Sequence, residues 1–359
     1  MKLKGAIIGL WGHEIYAKQL AEHPLVKLIA ISAFSGISWE RRKKLKDWAK
    51  NYKVPFYQNY SEMLEKHNLD VCIVMAPPWK NPAIVKETLS KGIHTISEKP
   101  ICGNIKDTQL LAQTIRKTKV CYTACFPLSK FSKPFRDAYK YIQEGNLGNI
   151  LTANFTYLAS RGPLYITKEP HYRDSEIPPS SVSGGEAAMF SGYGIIALEW
   201  FIGERIEKVY AKAGSYFYPS YKEKNIEDMA HIIIKFPSEV VGSIVVGRTP
   251  SPSAPTFIGF DITGTKGNLF YNSKEEKGLI TLYSDYTGYT EVTQDPGGIK
   301  YYTSNIPGLS QIDDFIEAII HKREPLINAE DVISTIEVLS AAYRSNALGR
   351  EIKVKRVWK

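Results

Sequence analysis

Residues 70–103 read DVCIVMAPPWKNPAIVKETLSKGIHTISEKPICG. The apolar run from Val71 to Ala76 has no polar alternation, which predicts a strand buried on both faces. Pro77 stops it. Residues 81–91 have helical character and end at Gly92, and HTISE (94–98) reads as the next strand. Strand, helix and strand of this kind make one step of a parallel sheet. Such sheets bind ligands beyond the carboxyl ends of their strands. That places Glu98-Lys99-Pro100 where this architecture puts chemistry.

The same alternation continues on both sides. LKGAIIGL (3–10), VKLIAIS (26–32) and KVCYTAC (119–125) read as further buried strands. Helical patterns cover 14–22, 38–52, 61–66 and 107–117, with Ser61 as a candidate cap and VPFYQNY as a short link. The second half differs. A helix over 134–143 precedes the alternating strand NILTANFTYLAS, a Pro-, Ser- and Tyr-rich loop over 160–185, and the apolar helix AAMFSGYGIIALEWFIG. Strands of a mostly antiparallel sheet follow, with turns at Pro237-Ser238 and at Gly264 to Gly267. Helices near 310–322 and 329–347 and a strand EIKVKRV close the chain. The expected fold is therefore α/β: an N-terminal Rossmann-type doubly wound parallel sheet over 1–124. An α+β domain with an open, mostly antiparallel sheet is expected over 125–359.

The chain has 359 residues, 43% hydrophobic and 23% charged, which favours two domains with ample cores. In MKLKGAIIGL the apolar run is broken by Gly9 and Trp11-Gly12-His13-Glu14, so no secretory leader is expected. No segment has the unbroken apolar length of a membrane span. The four cysteines, Cys72, Cys102, Cys121 and Cys125, show neither a disulfide framework nor metal-site spacing. They read as reduced core residues of a cytoplasmic protein without a metal. The net charge of +9 is compatible with nucleic acid, but the basic residues are dispersed and mixed with acids. A Lys-rich surface is the preferred account, with no nucleic-acid or membrane partner.

Gly9-Leu-Trp-Gly12 follows the first strand and opens the first helix, the place where backbone N–H groups hold a pyrophosphate. Read as GxGxxG from Gly9, Trp11 stands at the second glycine and Glu14 at the third. Bulk at the second glycine hinders approach of backbone to phosphate, unless Gly12 takes over with a reshaped turn. The alternative is a simple glycine turn. The second strand lacks the terminal acid that binds a free ribose 2′-hydroxyl. Arg41 and Arg42 open the next helix, which tilts the cofactor toward NADP over NAD. The competing account makes 41–46 a solvated helix face. Lys99 is suited to stabilise alkoxide charge or relay a proton beside a nicotinamide. Otherwise it is a surface lysine where Pro100 ends the strand.

With the EKP tripeptide, Ala76-Pro77 at its spacing, KPFRDAYKYIQEGNLGNI, SGGEAAMFSGYGIIALEWFIG and ITGTKGNLF, the chain resembles the Gfo/Idh/MocA family (glucose-fructose oxidoreductase / inositol dehydrogenase) nearly end to end. The resemblance implies NAD or NADP and hydride transfer at a hydroxyl- or oxo-bearing carbon of a sugar, cyclitol or related small molecule. It also implies a homo-oligomer formed through the C-terminal sheet. By the same resemblance, Lys99 is the catalytic lysine, often before a cis proline. Gly9 and Gly12 would face the pyrophosphate, Ser35 the ribose, and Pro77 and Glu98 the nicotinamide side.

The chain also departs from the family pattern. The aspartate and histidine of the family's central helix align with Phe190 and Gly194, and a histidine usual after Pro77 is Asn81 here. Tyr193, beside the vacated position, and His171 in the long loop are the candidate replacements. Packing and surface roles compete for them. Lys130-Phe131 matches a basic-aromatic pair assigned to the substrate cleft. The lost pair also leaves open a catalytically degenerate member that binds a nucleotide or sugar for regulation.

Overall fold

The computed structural model describes residues 2–103, 105–160, 185–223, 225–249, 254–274, 280–283, 300–302 and 304–358. The expected parallel sheet forms from β1 (Leu3–Ile8), β2 (Val26–Ser32), β3 (Phe56–Tyr57), β4 (Val71–Val74), β5 (His94–Ser97) and β6 (Tyr122–Ala124). The strands lie in the order β3-β2-β1-β4-β5-β6, the doubly wound arrangement with β1 and β4 at its centre. Central strands are buried throughout, as Ala6, Ile7, Ile8, Val71, Cys72 and Ile73 show. This is why their sequences carry no alternation. The helices between them are α1 (Glu14–Glu22), α2 (Trp39–Asn51), α3 (Tyr60–Lys66), α4 (Asn81–Ser90) and α5 (Ile105–Thr118).

Two local readings change. The segment taken as a link contains β3, which pairs parallel with β2 through Ile31↔Phe56 and Ser32↔Tyr57. Two residues after a proline carry too little pattern to announce an edge strand. The cap of α3 is Asn59, whose side chain accepts from Ser61 N. Ser38 caps α2 by accepting from Arg41 N.

The second unit contains α6 (Lys133–Gln143), β7 (Ile150–Ser160), α7 (Glu186–Ile202), β8 (Lys208–Gly214) and α8 (Pro219–Glu223). It continues with β9 (Met229–Lys235), β10 (Val241–Thr249), β11 (Phe257–Gly264), β12 (Gly267–Asn272), β13 (Ile280–Tyr283) and β14 (Lys300–Tyr302). After α9 (Gln311–His321) and α10 (Ala329–Leu348), β15 (Ile352–Lys353) completes a nine-stranded sheet ordered β14-β13-β12-β11-β7-β10-β9-β8-β15. Only β7 and β10 pair parallel among its described strands; the other pairs are antiparallel. The turns at 237–238 and 264–267 fall between β9 and β10 and between β11 and β12, as their sequences predict. One face of the sheet packs on α7, whose residues are nearly all buried.

Contacts divide the chain differently from a single cut at 124/125. The first unit takes 1–127 together with 310–336 and 357–359, and the second takes 128–309 and 337–356. Long-range hydrogen bonds in the first unit explain the return. Gln311 Nε2 donates to Ala124 O (2.7 Å), Phe126 N donates to Gln311 Oε1 (2.9 Å), and Thr123 Oγ1 donates to Ile327 O (2.6 Å). No helix among the described residues is long and apolar enough to cross a membrane.

Candidate functional site

In the first unit, the carboxyl ends of β1, β2, β4 and β5 gather most of the residues singled out by the sequence. Gly9 and Gly12 have φ of +76° and +88°, a backbone region that disfavours side chains. A Cβ on Gly9 would collide with the Met75 carbonyl oxygen, and one on Gly12 with the Glu98 carboxylate. The turn is thus closed around its neighbours, and its glycines are required by both φ and space. The Trp11 ring is 3% exposed and lies edge-on to Trp79 at 6.2 Å between centroids. It is packed inward and does not stand free on the loop.

Glu98 is 1% exposed and held at every polar group. Its N–H donates to Val74 O (2.8 Å), and its carbonyl accepts from Asn81 Nδ2 (2.7 Å). Its carboxylate accepts from His13 N (2.8 Å) and from His13 Nδ1 (2.7 Å). Lys99 follows, 2% exposed, and its peptide bond to Pro100 is cis. Burial pushes the neighbouring Cys125 thiol well up; the Glu98 charge adds to this and the Lys99 charge works against it. Burial also pushes the Cys121 thiol up, to about 12, so these cysteines are poor nucleophiles.

At the end of β2, Ser35 and Gly36 are exposed, and Arg41 Nη1 donates to Leu10 O (2.9 Å). Arg41 therefore braces the glycine turn from α2. At the end of β4, Ala76 is fully buried, and Pro77 O accepts from Lys80 N and Asn81 N, both at 2.9 Å, which starts α4. Two polar atoms here are buried without a hydrogen-bond partner: the donor Trp11 Nε1 and the acceptor Asn81 Oδ1. Orphaned groups of both kinds beside a glycine turn fit a ligand with phosphates and a carboxamide.

In the second unit, Phe190 and Tyr193 lie on α7 and are 7% and 2% exposed. Both rings stack on Tyr157, at 4.3 and 5.6 Å between centroids. Ser129 Oγ donates to Tyr193 O (2.8 Å). The Arg248 guanidinium lies 5.3 Å from the Phe190 centroid, and its Nε is 2.8 Å from Glu186 Oε1, which also accepts from Tyr221 OH (2.8 Å). A Cβ on Gly194 would meet the Phe155 ring. Phe155 of the core thus fills the space that a side chain at 194 would need. Lys130 Nζ is 5.8 Å from the Trp200 ring. Its neighbour Ser129 is the residue bonded to Tyr193 O, so the 129–130 segment lies against α7. His171 lies outside the described residues.

The sequence reading missed His13 and the Arg248–Glu186–Tyr221 cluster. The available signals were a histidine directly after Gly12 and a lone charge in the apolar run of β10. Among the described residues, no group of three or more His, Cys, Asp or Glu side chains is gathered for a metal.

Residues 3–126 match the family model described as "Oxidoreductase family, NAD-binding Rossmann fold", and 135–270 match the "GFO/IDH/MocA C-terminal domain". Myo-inositol 2-dehydrogenase of Thermotoga maritima is 20% identical over 92% of this chain and 94% of its own. Trans-1,2-dihydrobenzene-1,2-diol dehydrogenase of Xenopus tropicalis is 24% identical over 66% of this chain and 69% of its own. The structure of scyllo-inositol dehydrogenase from Lactobacillus casei, with bound NAD(H) and scyllo-inositol, has a TM-score of 0.76 at 22% identity, covering 99% of each chain.

Proposed function

Since the chain belongs to the Gfo/Idh/MocA family of NAD(P)-dependent oxidoreductases, we propose that it oxidises or reduces a small polyhydroxy compound, a sugar, cyclitol or relative, with Lys99 as its catalytic residue. The observation that carries this reading is Lys99 itself. It is a lysine 2% exposed at the carboxyl end of β5, next to a glutamate fixed on the glycine turn.

The turn Gly9–Gly12 would hold the pyrophosphate, with Trp11 packed behind it. Ser35 and Arg41 would receive the adenosine ribose and, in NADP, its 2′-phosphate. Ala76, Pro77, Asn81 and Glu98 would frame the nicotinamide end. When bound, the cofactor would supply a hydride acceptor for oxidation and a hydride donor for reduction. In oxidation the carbinol C–H bond would break with both electrons leaving as hydride, while the hydroxyl O–H bond breaks and its proton passes to the neutral amine of Lys99 Nζ, which becomes the ammonium and returns the proton to water. A homo-oligomer through the sheet of the second unit belongs to the same reading. Ile233 and Val241, 54% and 44% exposed, lie on the sheet face turned away from α7 and favour it. Light scattering on the purified protein tests it, and a monomer would overturn it.

The test is a titration with NADPH and NADH, followed by nicotinamide fluorescence, then a screen of polyols and sugars with wild type and Lys99→Met. The expected result is nucleotide binding by both proteins and a loss of at least about 10²-fold in turnover for the variant. Full turnover by Lys99→Met would overturn the role of Lys99. Binding without turnover of any substrate would favour a regulatory protein instead.

A further inference from the structure

We propose that His13 is a positioning residue which, through Glu98, couples the glycine turn to Lys99. The proposal rests on the cofactor reading above for what occupies the turn.

His13 directs two donors at one buried carboxylate. Its backbone N–H goes to Oε2 and its ring Nδ1 to Oε1, at 2.8 and 2.7 Å. An ionised carboxylate only accepts, so Nδ1 is the protonated ring nitrogen in this contact. Gly12 completes the seat, because the Glu98 carboxylate occupies the space a Cβ at Gly12 would take. The turn and the carboxylate are therefore built around each other across 85 positions of sequence.

Glu98 has no freedom to absorb a shift of that turn by itself. Its N–H is tied to β4 and its carbonyl to Asn81 on α4. Lys99 is the next residue, one Cα–Cα step of about 3.8 Å away. A ligand that orders Gly9–His13 must then also order the backbone that carries Lys99. The resemblance to the family places a histidine at 81. Here an asparagine holds the Glu98 main chain, while a histidine at 13 holds its side chain. A simple packing role for His13 would stabilise 95–103 equally with and without ligand. Coupling makes the stabilisation depend on ligand.

The experiment is hydrogen–deuterium exchange by mass spectrometry on the full chain, with and without saturating NADH or NADPH, following peptides over 9–16 and 95–103. The variants are His13→Leu, which removes the ring donor, and His13→Asn, whose amide nitrogen stands near the place of Nδ1. In the wild type, nucleotide should slow exchange in both peptides. In His13→Leu it should still slow 9–16 but lose its effect on 95–103. Its Kd should rise about tenfold, as expected for a lost hydrogen bond to a buried charge. His13→Asn should restore both. Should His13→Leu not fold, Glu98→Gln serves, since its amide turns a donor toward His13.

An unchanged nucleotide-dependent slowing of 95–103 in His13→Leu would overturn the coupling. So would a rise in exchange that is equal with and without nucleotide, or failure of His13→Asn to restore the effect. Failure of the wild type to bind either nucleotide would instead overturn the cofactor reading, and the coupling with it.

Discussion

A Cβ built on Gly194 of α7 would lie 2.8 Å from Cγ of Phe155 on β7, so the helix approaches the sheet here only because residue 194 has no side chain. Phe155 is 1% exposed and packs beside Phe135. Any side chain at this place would have to evict an aromatic ring from the core.

Gly194→Ala follows directly. In an exposed helix this change would stabilise by about 1 kcal/mol. Here overpacking should reverse the sign and cost about 1–3 kcal/mol, lowering Tm by several degrees in calorimetry. Combining it with Phe155→Leu should cost less than the sum of the two single changes, because they share one space. A stabilised Gly194→Ala would show that Phe155 moves aside freely and that a polar group could be accommodated there.

Arg41 braces Leu10 O in the glycine turn, and under the proposed cofactor reading it would also receive the 2′-phosphate of NADP. Arg41→Ala should therefore weaken both nucleotides, but NADPH about tenfold more than NADH, since only NADPH loses a charge-assisted partner. Fluorescence titrations of both nucleotides measure the ratio. Equal weakening would reduce Arg41 to a brace and remove the basis for an NADP preference.

The buried pair Arg248–Glu186 gives a stability test in the second unit. Burial works against the charge on Arg248, while Glu186 and Tyr221 together more than offset it and push the guanidinium above its usual range. Arg248→Met would remove the guanidinium paired with the buried Glu186 carboxylate, at a cost of about 3–5 kcal/mol. Arg248→Met with Glu186→Leu should recover much of that loss in thermal unfolding. A double variant as unstable as the single would mean that Arg248 acts through the Phe190 ring, not through the ion pair.

The legible parts of the molecule were those that leave a local pattern. Unbroken apolar runs at β1, β2 and β4 and the EKP ending of β5 announced a parallel sheet and the place of Lys99. What depends on distant partners stayed hidden. Nothing in QIDDFIEAII reveals that Gln311 will clasp Ala124 and Phe126, which draws α9 into the first unit. At 194 the sequence shows only a glycine, and the fold shows that the Phe155 ring lies against it. His13 has no periodicity to mark it, and its meaning lies in Glu98. The bulky Trp11 looked like an obstacle in the turn because sequence does not say which way a ring faces.

His94 supplies a pH test of the first unit. It opens β5, and its Nδ1 accepts from Cys121 N at 2.9 Å. Burial lowers its pKa below the usual value of 6.5, with Asp70 acting weakly the other way. The unfolded chain therefore takes up a proton before the folded one as pH falls, so stability is present above pH 6.5 and is lost as pH drops through the folded pKa. Protonation at Nδ1 would also cancel the acceptor for Cys121 N. His94→Asn keeps an acceptor at that place but does not titrate. Urea midpoints measured from pH 7.5 down to pH 5 should fall more steeply for the wild type than for His94→Asn, with the two converging at the neutral end. Parallel curves would mean that the folded and unfolded chains bind the His94 proton equally, so that burial does not lower its pKa.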